Sequence, residues 1–355
     1  MKTKKRHTQG FIASLLILFL ALLTGPAFAE TPDYTKVYHP IINEAEKNIL
    51  QKDYQAALAA YQLAFSEVPS PFARDYYNAA VCALLTKDEK LTYEYLEKLV
   101  LKGVSLPYLE KQQAFEPLHK TRKWKKFKRK YPKYRKAYNE LVNLDLRADL
   151  DELYARDAYF RQAKGGYGEY GDTLRKIEVA NTKLFLKWVE EFGYPGESLI
   201  GVADTLEQLP RFYIVVQRQT KARKGHDFSK VLTEAVEQGK LGPQVAAYLL
   251  EQQAGDSRYS SKAFVKVNCN KCKNGDSLEG LDRYFEIART EEELKAINKR
   301  RAKLGLDSLK DYKEKVLYSF EDTRFKLGNE WAVTNYYVPS KEAAEIILEK
   351  LVAAQ

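Results

Sequence analysis

Few side chains of this sequence stand in patterns that could carry out a reaction. The adjacent His226 and Asp227 offer the imidazole and carboxylate of an acid–base pair. Neither Ser198 nor Ser229 has the glycine-flanked context of an activated nucleophile, so the pair has no partner group to activate. Nearby arginines could gather with His226 around an anion, although a cluster on a helix surface is the commoner explanation; they are Arg211, Arg218 and Arg223.

Two of the three cysteines, Cys269 and Cys272, form a C-N-K-C motif. In an oxidising compartment such a pair most often closes a local disulfide. A redox motif would open a helix after a strand, whereas the surrounding KVNCNKCKNGD is typical of a loop. A zinc site would need two further ligands, and no histidine lies nearby in sequence. We therefore predict a structural disulfide, no metal site and no cofactor. Cys82 lies in an apolar helical pattern and is predicted to be a core residue.

The segment from Lys120 to Lys136 has eleven basic residues, no acidic residue and several aromatic ones. It could bind a nucleic acid or a membrane surface, or it could be the solvated face of an ordinary helix. Trp124 and Phe127 are three positions apart and would share one helix face, which could pack on a core. The candidates for binding an anion lie on the other sides; they are Lys123, Lys126, Arg129 and Lys130.

The N-terminus indicates an exported protein. A basic start, an apolar run and the A-F-A site ending at Ala29 fit a signal peptide over residues 1–29. Without its four basic residues the net charge falls from +10 to +6, and the basic segment supplies +11, so the remainder carries −5. The positive charge is therefore local, and with export it disfavours a nucleic-acid partner. We expect a periplasmic or secreted protein without a transmembrane anchor.

Residues 39–103 have the pattern of paired helices rich in small and aromatic side chains. Ala45 and Ala80 occupy equivalent places 35 positions apart. The pattern resembles the tetratricopeptide repeat, in which small residues let two antiparallel helices approach closely and which has a period of about 34 residues. An unrelated helical bundle is the alternative. The following stretch to residue 131 is expected to form a capping helix.

The middle of the chain carries a second set of motifs. They are N-T before an amphipathic helix, G-Y-P, S-L-I-G, and E-A-V followed by L-G-P and A-A-Y-L. Together they resemble a bacterial domain-of-unknown-function family, numbered 6624, over about residues 146–312. The resemblance implies four polar positions, which are Asp157, Arg161, Asn181 and Gln217. Arg218 stands where the family pattern has histidine, which weakens the case for an enzyme.

These observations predict a mainly α fold. A short helical-repeat solenoid would cover residues 30–131, an α-helical domain residues 132–315, and a C-terminal extension residues 316–355. Residues 316–338 alternate weakly, which fits a small β element or a packed extended tail, and Ser340 fits the start of a last helix.

Two local breaks are expected within this fold. Pro132 should end the basic helix, with a new helix from about residue 133 to 161. The glycine-rich residues 164–171 should form a mobile loop, because they match no phosphate-binding pattern.

Three functions are compatible with the sequence. The leading hypothesis is a non-enzymatic interaction module of the cell envelope that binds a protein or peptide on a concave helical surface. The second is an enzyme of unknown reaction with a cleft in the middle domain, lined by Asp157, Arg161, Asn181, Gln217, Arg218 and His226. The third is binding of an anionic polymer or lipid surface through residues 120–136.

Overall fold

The computed structural model describes residues 32–269, 283–328 and 331–354. The predicted signal peptide, residues 1–29, lies outside these residues. Cys272 also lies outside them, so its disulfide with Cys269 stays a prediction. Cys82 is a core residue, as predicted, and burial raises the pKa of its thiol to about 12.

Five helices open the described chain: α1 (Tyr34–Val37), α2 (His39–Leu50), α3 (Tyr54–Glu67), α4 (Ala73–Leu85) and α5 (Glu89–Leu101). Helices α2 to α5, which we call the helical array, pack in sequence, each on the next. Ala45, Ala57 and Ala80 have no exposed surface. Their small side chains let neighbouring helices approach closely, as the sequence pattern predicted. Asp53 and Asp88 accept hydrogen bonds from backbone N–H groups at the starts of α3 and α5.

Helix α6 (Leu106–Glu110) and a 3-10 helix (Gln113–Leu118) follow, and most of the basic segment lies in α7 (Arg122–Leu141). The expected break at Pro132 is wrong, because α7 continues through it. Pro132 cannot donate to the carbonyl of Lys128, but both residues are exposed, so water can bind that carbonyl. The chain breaks instead at Asn143, whose side chain accepts the Leu146 N–H at 2.9 Å and caps the next helix.

The middle of the chain is helical throughout its main elements: α8 (Leu144–Gln162), α9 (Gly166–Phe192), α10 (Glu197–Ile200), α11 (Tyr213–Arg218), α12 (Ser229–Glu237) and α13 (Pro243–Ala254). The predicted loop at residues 164–171 is wrong for most of its length, since α9 begins at Gly166. Inside α9 only Tyr170 departs from helical geometry, with φ −103° and ψ 18°. The flexible glycines accommodate a kink there, not a loop. None of the described helices has the length and apolarity needed to cross a membrane.

The last part combines a small sheet with three helices. The strands are β1 (Phe264–Cys269), β2 (Phe285–Ile287), β3 (Val333–Val338) and β4 (Leu351–Ala353), and the helices are α14 (Glu291–Lys303), α15 (Leu309–Glu321) and α16 (Lys341–Leu348). The spatial order is β3-β1-β2-β4, with β3 parallel to β1 and the other pairs antiparallel. The predicted mainly α fold with a small C-terminal β element is confirmed. Only β3 lies within the predicted residues 316–338, of which 316–321 belong to α15, and the other three strands were not anticipated. Ser340 caps α16 as predicted.

Candidate functional site

The structure brings four of the six predicted cleft residues together. Asp157, at the inner side of α8, is only 3% exposed. The Arg161 Nε lies 2.9 and 2.8 Å from its two carboxylate oxygens, and the Arg218 Nη2 lies 3.3 Å from one of them. Arg161 also donates to Glu178 of α9. Asp157 therefore serves as a shared acceptor for two arginines from different helices.

This cluster is filled, not open. The Asn181 Nδ2 donates to the Leu153 carbonyl at 2.9 Å, which joins α9 to α8. The space between Asp157, Asn181 and Arg218 admits no water molecule. A substrate could not reach the carboxylate without separating the helices. The four residues hold α8, α9 and α11 together.

The remaining two predicted residues lie elsewhere. Gln217 borders a shallow surface depression with Tyr154 and Leu209, and no described residue forms a hydrogen bond with its side chain. His226 is exposed, and its ring lies edge-on against Phe228. The Asp227 carboxylate accepts the Ser229 N–H at 2.8 Å, and no hydrogen bond or ion pair joins it to the imidazole among the described residues.

The suggested arginine cluster does not form a common anion site. Arg211 lies 3.3 Å from Asp204, and Arg223 lies 3.4 Å from Glu178. Arg218 is bound to Asp157, as described above. Each guanidinium thus faces its own carboxylate. Within the described residues, no group of His, Cys, Asp and Glu side chains is arranged to hold a metal ion.

A cleft of about 130 Å³ lies between the helical array and residues 195–210. Its two glutamates are already engaged. Glu197 accepts the Ala73 N–H at 2.8 Å, and Glu207 lies 2.6 Å from the Lys326 ammonium. Both carboxylates hold two chain segments together, so neither is free to act as a catalytic acid or base.

We call the side of the helical array that carries Glu46 and Asn78 its inner face. It holds a buried ionic network that sequence reasoning missed. The Lys315 ammonium lies 2.5 Å from Glu46 and 2.7 Å from Asp307, and Arg301 lies 3.0 Å from Asp307. Burial alone would raise the pKa of Asp307, but Lys315 and Arg301 hold it below its ordinary value. Burial opposes the charge on Lys315 in turn, yet the two carboxylates raise its pKa. With its side chains charged, the network holds α2 against α15.

The chain's own residues 322–328 cover the same face. The Asn78 side chain of α4 donates to the Lys326 carbonyl and accepts the Lys326 N–H, each at 2.8 Å. The Phe325 ring stacks on Tyr54 at 5.8 Å, and Leu327 is buried in the core of the array. This segment therefore covers the part of the array around Tyr54 and Asn78.

His39, at the start of α2, lies beside the ionic network of Glu46, Asp307 and Lys315. Its side chain is buried, and its Nε2 has no hydrogen-bond partner among the described residues. Burial lowers the pKa of His39 to about 3, and the positive charge of Arg74 adds to the effect. The imidazole is consequently neutral at physiological pH.

The basic helix α7 divides into three faces. Trp124 and Phe127 are buried against the array, as predicted. On the flanks, Lys123 lies 2.5 Å from Glu89 and Lys128 lies 3.1 Å from Glu110, while Lys130 lies 4.0 Å from Glu97. Acidic residues of neighbouring elements thus balance the flank lysines.

The third face points outward and has no such balance. Positions 122, 126, 129 and 133 recur at helical spacing, opposite the buried aromatics, and position 125 lies beside them. We call these residues the cationic stripe: Arg122, Lys125, Lys126, Arg129 and Lys133. All five are exposed, and their side chains have no ion-pair or hydrogen-bond partner in the part of the chain that the structure describes. Of the four predicted anion-binding residues, Lys126 and Arg129 lie in the stripe, whereas Lys123 and Lys130 lie on a flank.

No family model, no curated protein and no solved structure matches this chain. The resemblances drawn from its motifs therefore remain predictions.

Proposed function

We propose that this protein is an exported binding module, not an enzyme, and that it docks on an anionic lipid surface of the cell envelope through the cationic stripe. The observation that carries the proposal is the stripe's lack of acidic partners. The predicted cleft residues are either packed into a closed ion cluster or dispersed, and residues 322–328 cover the inner face of the array. Within the described residues, the stripe is an exposed run of five positive charges that no acidic residue balances.

The shape of the surface favours a membrane over a single polymer chain. From Arg122 to Lys133 the stripe follows one side of a helix for about 16 Å. None of the five stripe residues lines the clefts described above. Long lysine and arginine side chains on such a face can reach a plane of headgroups together. The apolar side of α7 is buried in the protein, so binding would be peripheral and would not insert the helix.

The expected strength follows from the number of charges. Each basic residue near an anionic leaflet contributes about 1 kcal/mol, and this contribution falls off within one Debye length. Removing three charges from the stripe should therefore weaken binding by about 3 kcal/mol, or roughly a hundredfold. Raising the salt concentration should weaken binding of the unmodified chain in the same direction.

Vesicle co-sedimentation tests the proposal with a matched pair of variants. The stripe variant carries Lys126→Gln, Arg129→Gln and Lys133→Gln; the flank variant carries Lys123→Gln, Lys128→Gln and Lys130→Gln. Both lose three positive charges from the same helix. We expect the unmodified chain and the flank variant to bind phosphatidylglycerol-containing vesicles at low salt and not pure phosphatidylcholine, and the stripe variant to bind neither.

Three outcomes would contradict the proposal. Equal loss of binding in both variants would assign the effect to net charge and not to the stripe. Binding to heparin without binding to vesicles would assign the stripe to an anionic polymer. Failure of the unmodified chain to bind anionic vesicles at low salt would remove the proposal altogether.

A further inference from the structure

The two edges of the sheet differ in a way that points to a second interaction surface. β4 has three residues, whereas β3 has six, and neither is paired on its outer side within the described chain. Exposed edge strands commonly carry a charge, a proline or a bulge that prevents pairing with another chain. β3 reads VTNYYV, with no charged residue and no proline, and Pro339 comes just after it. This edge is left open to a further strand.

The hydrogen bond between the Phe264 N–H and the Ala332 carbonyl shows which groups of β3 point outward. Because successive residues of a strand direct their N–H and C=O groups to opposite sides, positions 334 and 336 also face β1. The backbone groups of Val333, Asn335 and Tyr337 then face away from the sheet. Asn335 is exposed, and Tyr337 is 78% exposed. Three residues therefore offer both a donor and an acceptor at an uncovered edge.

We propose that β3 pairs with β3 of a second copy of this chain, antiparallel about a two-fold axis through Asn335. Hydrogen-bonded pairs join residues whose backbone groups face outward on both strands, so the two-fold axis must pass through a residue of β3 and not between two residues. An axis at Asn335 matches the full strand, with Val333 opposite Tyr337 of the second copy. The pairing would form about six backbone hydrogen bonds and join two four-stranded sheets into one.

The side chains fit this register. On one face Val333 would meet Tyr337 of the other copy, and on the opposite face Thr334 would meet Tyr336. Both are pairs of a β-branched and an aromatic residue, which stabilise neighbouring antiparallel strands. Like charges would not meet, because β3 has none. This self-complementarity favours a second copy over an unrelated strand.

Cysteine cross-linking of the full mature chain tests the register. In the proposed dimer the two Asn335 Cα atoms lie about 5.5 Å apart, within the range of a disulfide. The two Tyr337 Cα atoms would be about 14 Å apart, beyond that range. Asn335→Cys should therefore form a covalent dimer on mild oxidation, whereas Tyr337→Cys and the unmodified chain should not. Equal cross-linking of the two variants would indicate random collision and would overturn the proposal.

Sedimentation provides an independent test with Asn335→Pro. This substitution removes an outward N–H, while the bonds from positions 334 and 336 to β1 remain available. The unmodified chain should show a concentration-dependent dimer, and the variant should sediment as a monomer with unchanged circular dichroism. A variant that still dimerises would overturn the proposal. An unmodified chain that stays monomeric, together with an Asn335→Cys variant that fails to cross-link, would also overturn it. A strand of a different protein would then be the occupant to examine.

Discussion

The inner face of the helical array and the outward face of α7 both depend on lysine and arginine, but in opposite ways. On the inner face, Lys315 is buried between two carboxylates. On the outward face, Lys126 and Arg129 lie in water with no acidic partner in the described chain. A buried cation without partners would be too costly to keep, so pairing there reveals a role in the fold. An exposed cation has no such requirement, which leaves the stripe available for binding.

The largest effect should follow from Lys315→Met. The substitution leaves Glu46 and Asp307 buried without their shared cation, although Arg74 and Arg301 still contact them. We expect the free energy of unfolding to fall by about 3 kcal/mol, measured by denaturant titration. Lys310→Met on the exposed side of the same helix is the control and should change it by less than about 0.5 kcal/mol. Similar values for the two variants would show that the network does not hold the fold.

Asn78→Ala should have the next largest effect. It removes both hydrogen bonds to the Lys326 backbone in a buried setting and should cost about 2 kcal/mol. Hydrogen exchange provides the local measurement. The Lys326 amide should lose protection, while amides in the middle of α8 should keep theirs. Unchanged exchange at Lys326 would mean that Phe325 and Leu327 alone hold the segment in place.

A measurement of stability against pH tests the effect of His39, which lies beside the same ionic network. Its pKa in the folded state is about 3, below the ordinary value of about 6.5, so the unfolded state takes up the proton first as pH falls. Stability should therefore fall between pH 7 and 5 by about 2 kcal/mol and continue to fall towards pH 3. Arg74 and Asp33 are the charged groups that act on the imidazole. His39→Gln should flatten the curve in this interval, and a variant with the original slope would assign it to other groups.

The smallest effect on stability is expected for the cationic stripe. The triple variant Lys126→Gln, Arg129→Gln and Lys133→Gln should change the free energy of unfolding by less than about 0.5 kcal/mol, because these side chains contact no described partner. Its effect on vesicle binding should be far larger, as proposed above. A strong loss of stability in this variant would show that the stripe, like the inner face, stabilises the fold.

Sequence reasoning succeeded where a periodic pattern alone determines the outcome. The buried positions of Trp124 and Phe127, the close packing at Ala45 and Ala80, and the cap at Ser340 depend on residues close together in the chain. The errors at Pro132 and at residues 164–171 have a shared cause. Proline and glycine lower helix stability by a few kcal/mol at most, and tertiary packing can compensate for that.

Only part of the clustering of the predicted cleft residues could be foreseen, for a related reason. Asp157 and Arg161 are four residues apart on one helix, so their contact could be foreseen. The contacts of Asp157 with Arg218 and of Asn78 with Lys326 join residues that are 61 and 248 positions apart. Nothing in a single sequence signals such pairings. The division of α7 into paired flanks and an unpaired stripe likewise depends on where Glu89, Glu97 and Glu110 come to lie.

The contact between Glu46 and Lys315 also affects the order of folding. The two residues are separated by 269 positions, so Glu46 leaves the ribosome long before its cation. Until α15 arrives, the carboxylate must remain hydrated, and the inner face of the array cannot close. Contacts between residues so distant in sequence form late and slow the final step of folding. The N-terminal helices would therefore complete their packing only when almost the whole chain is available.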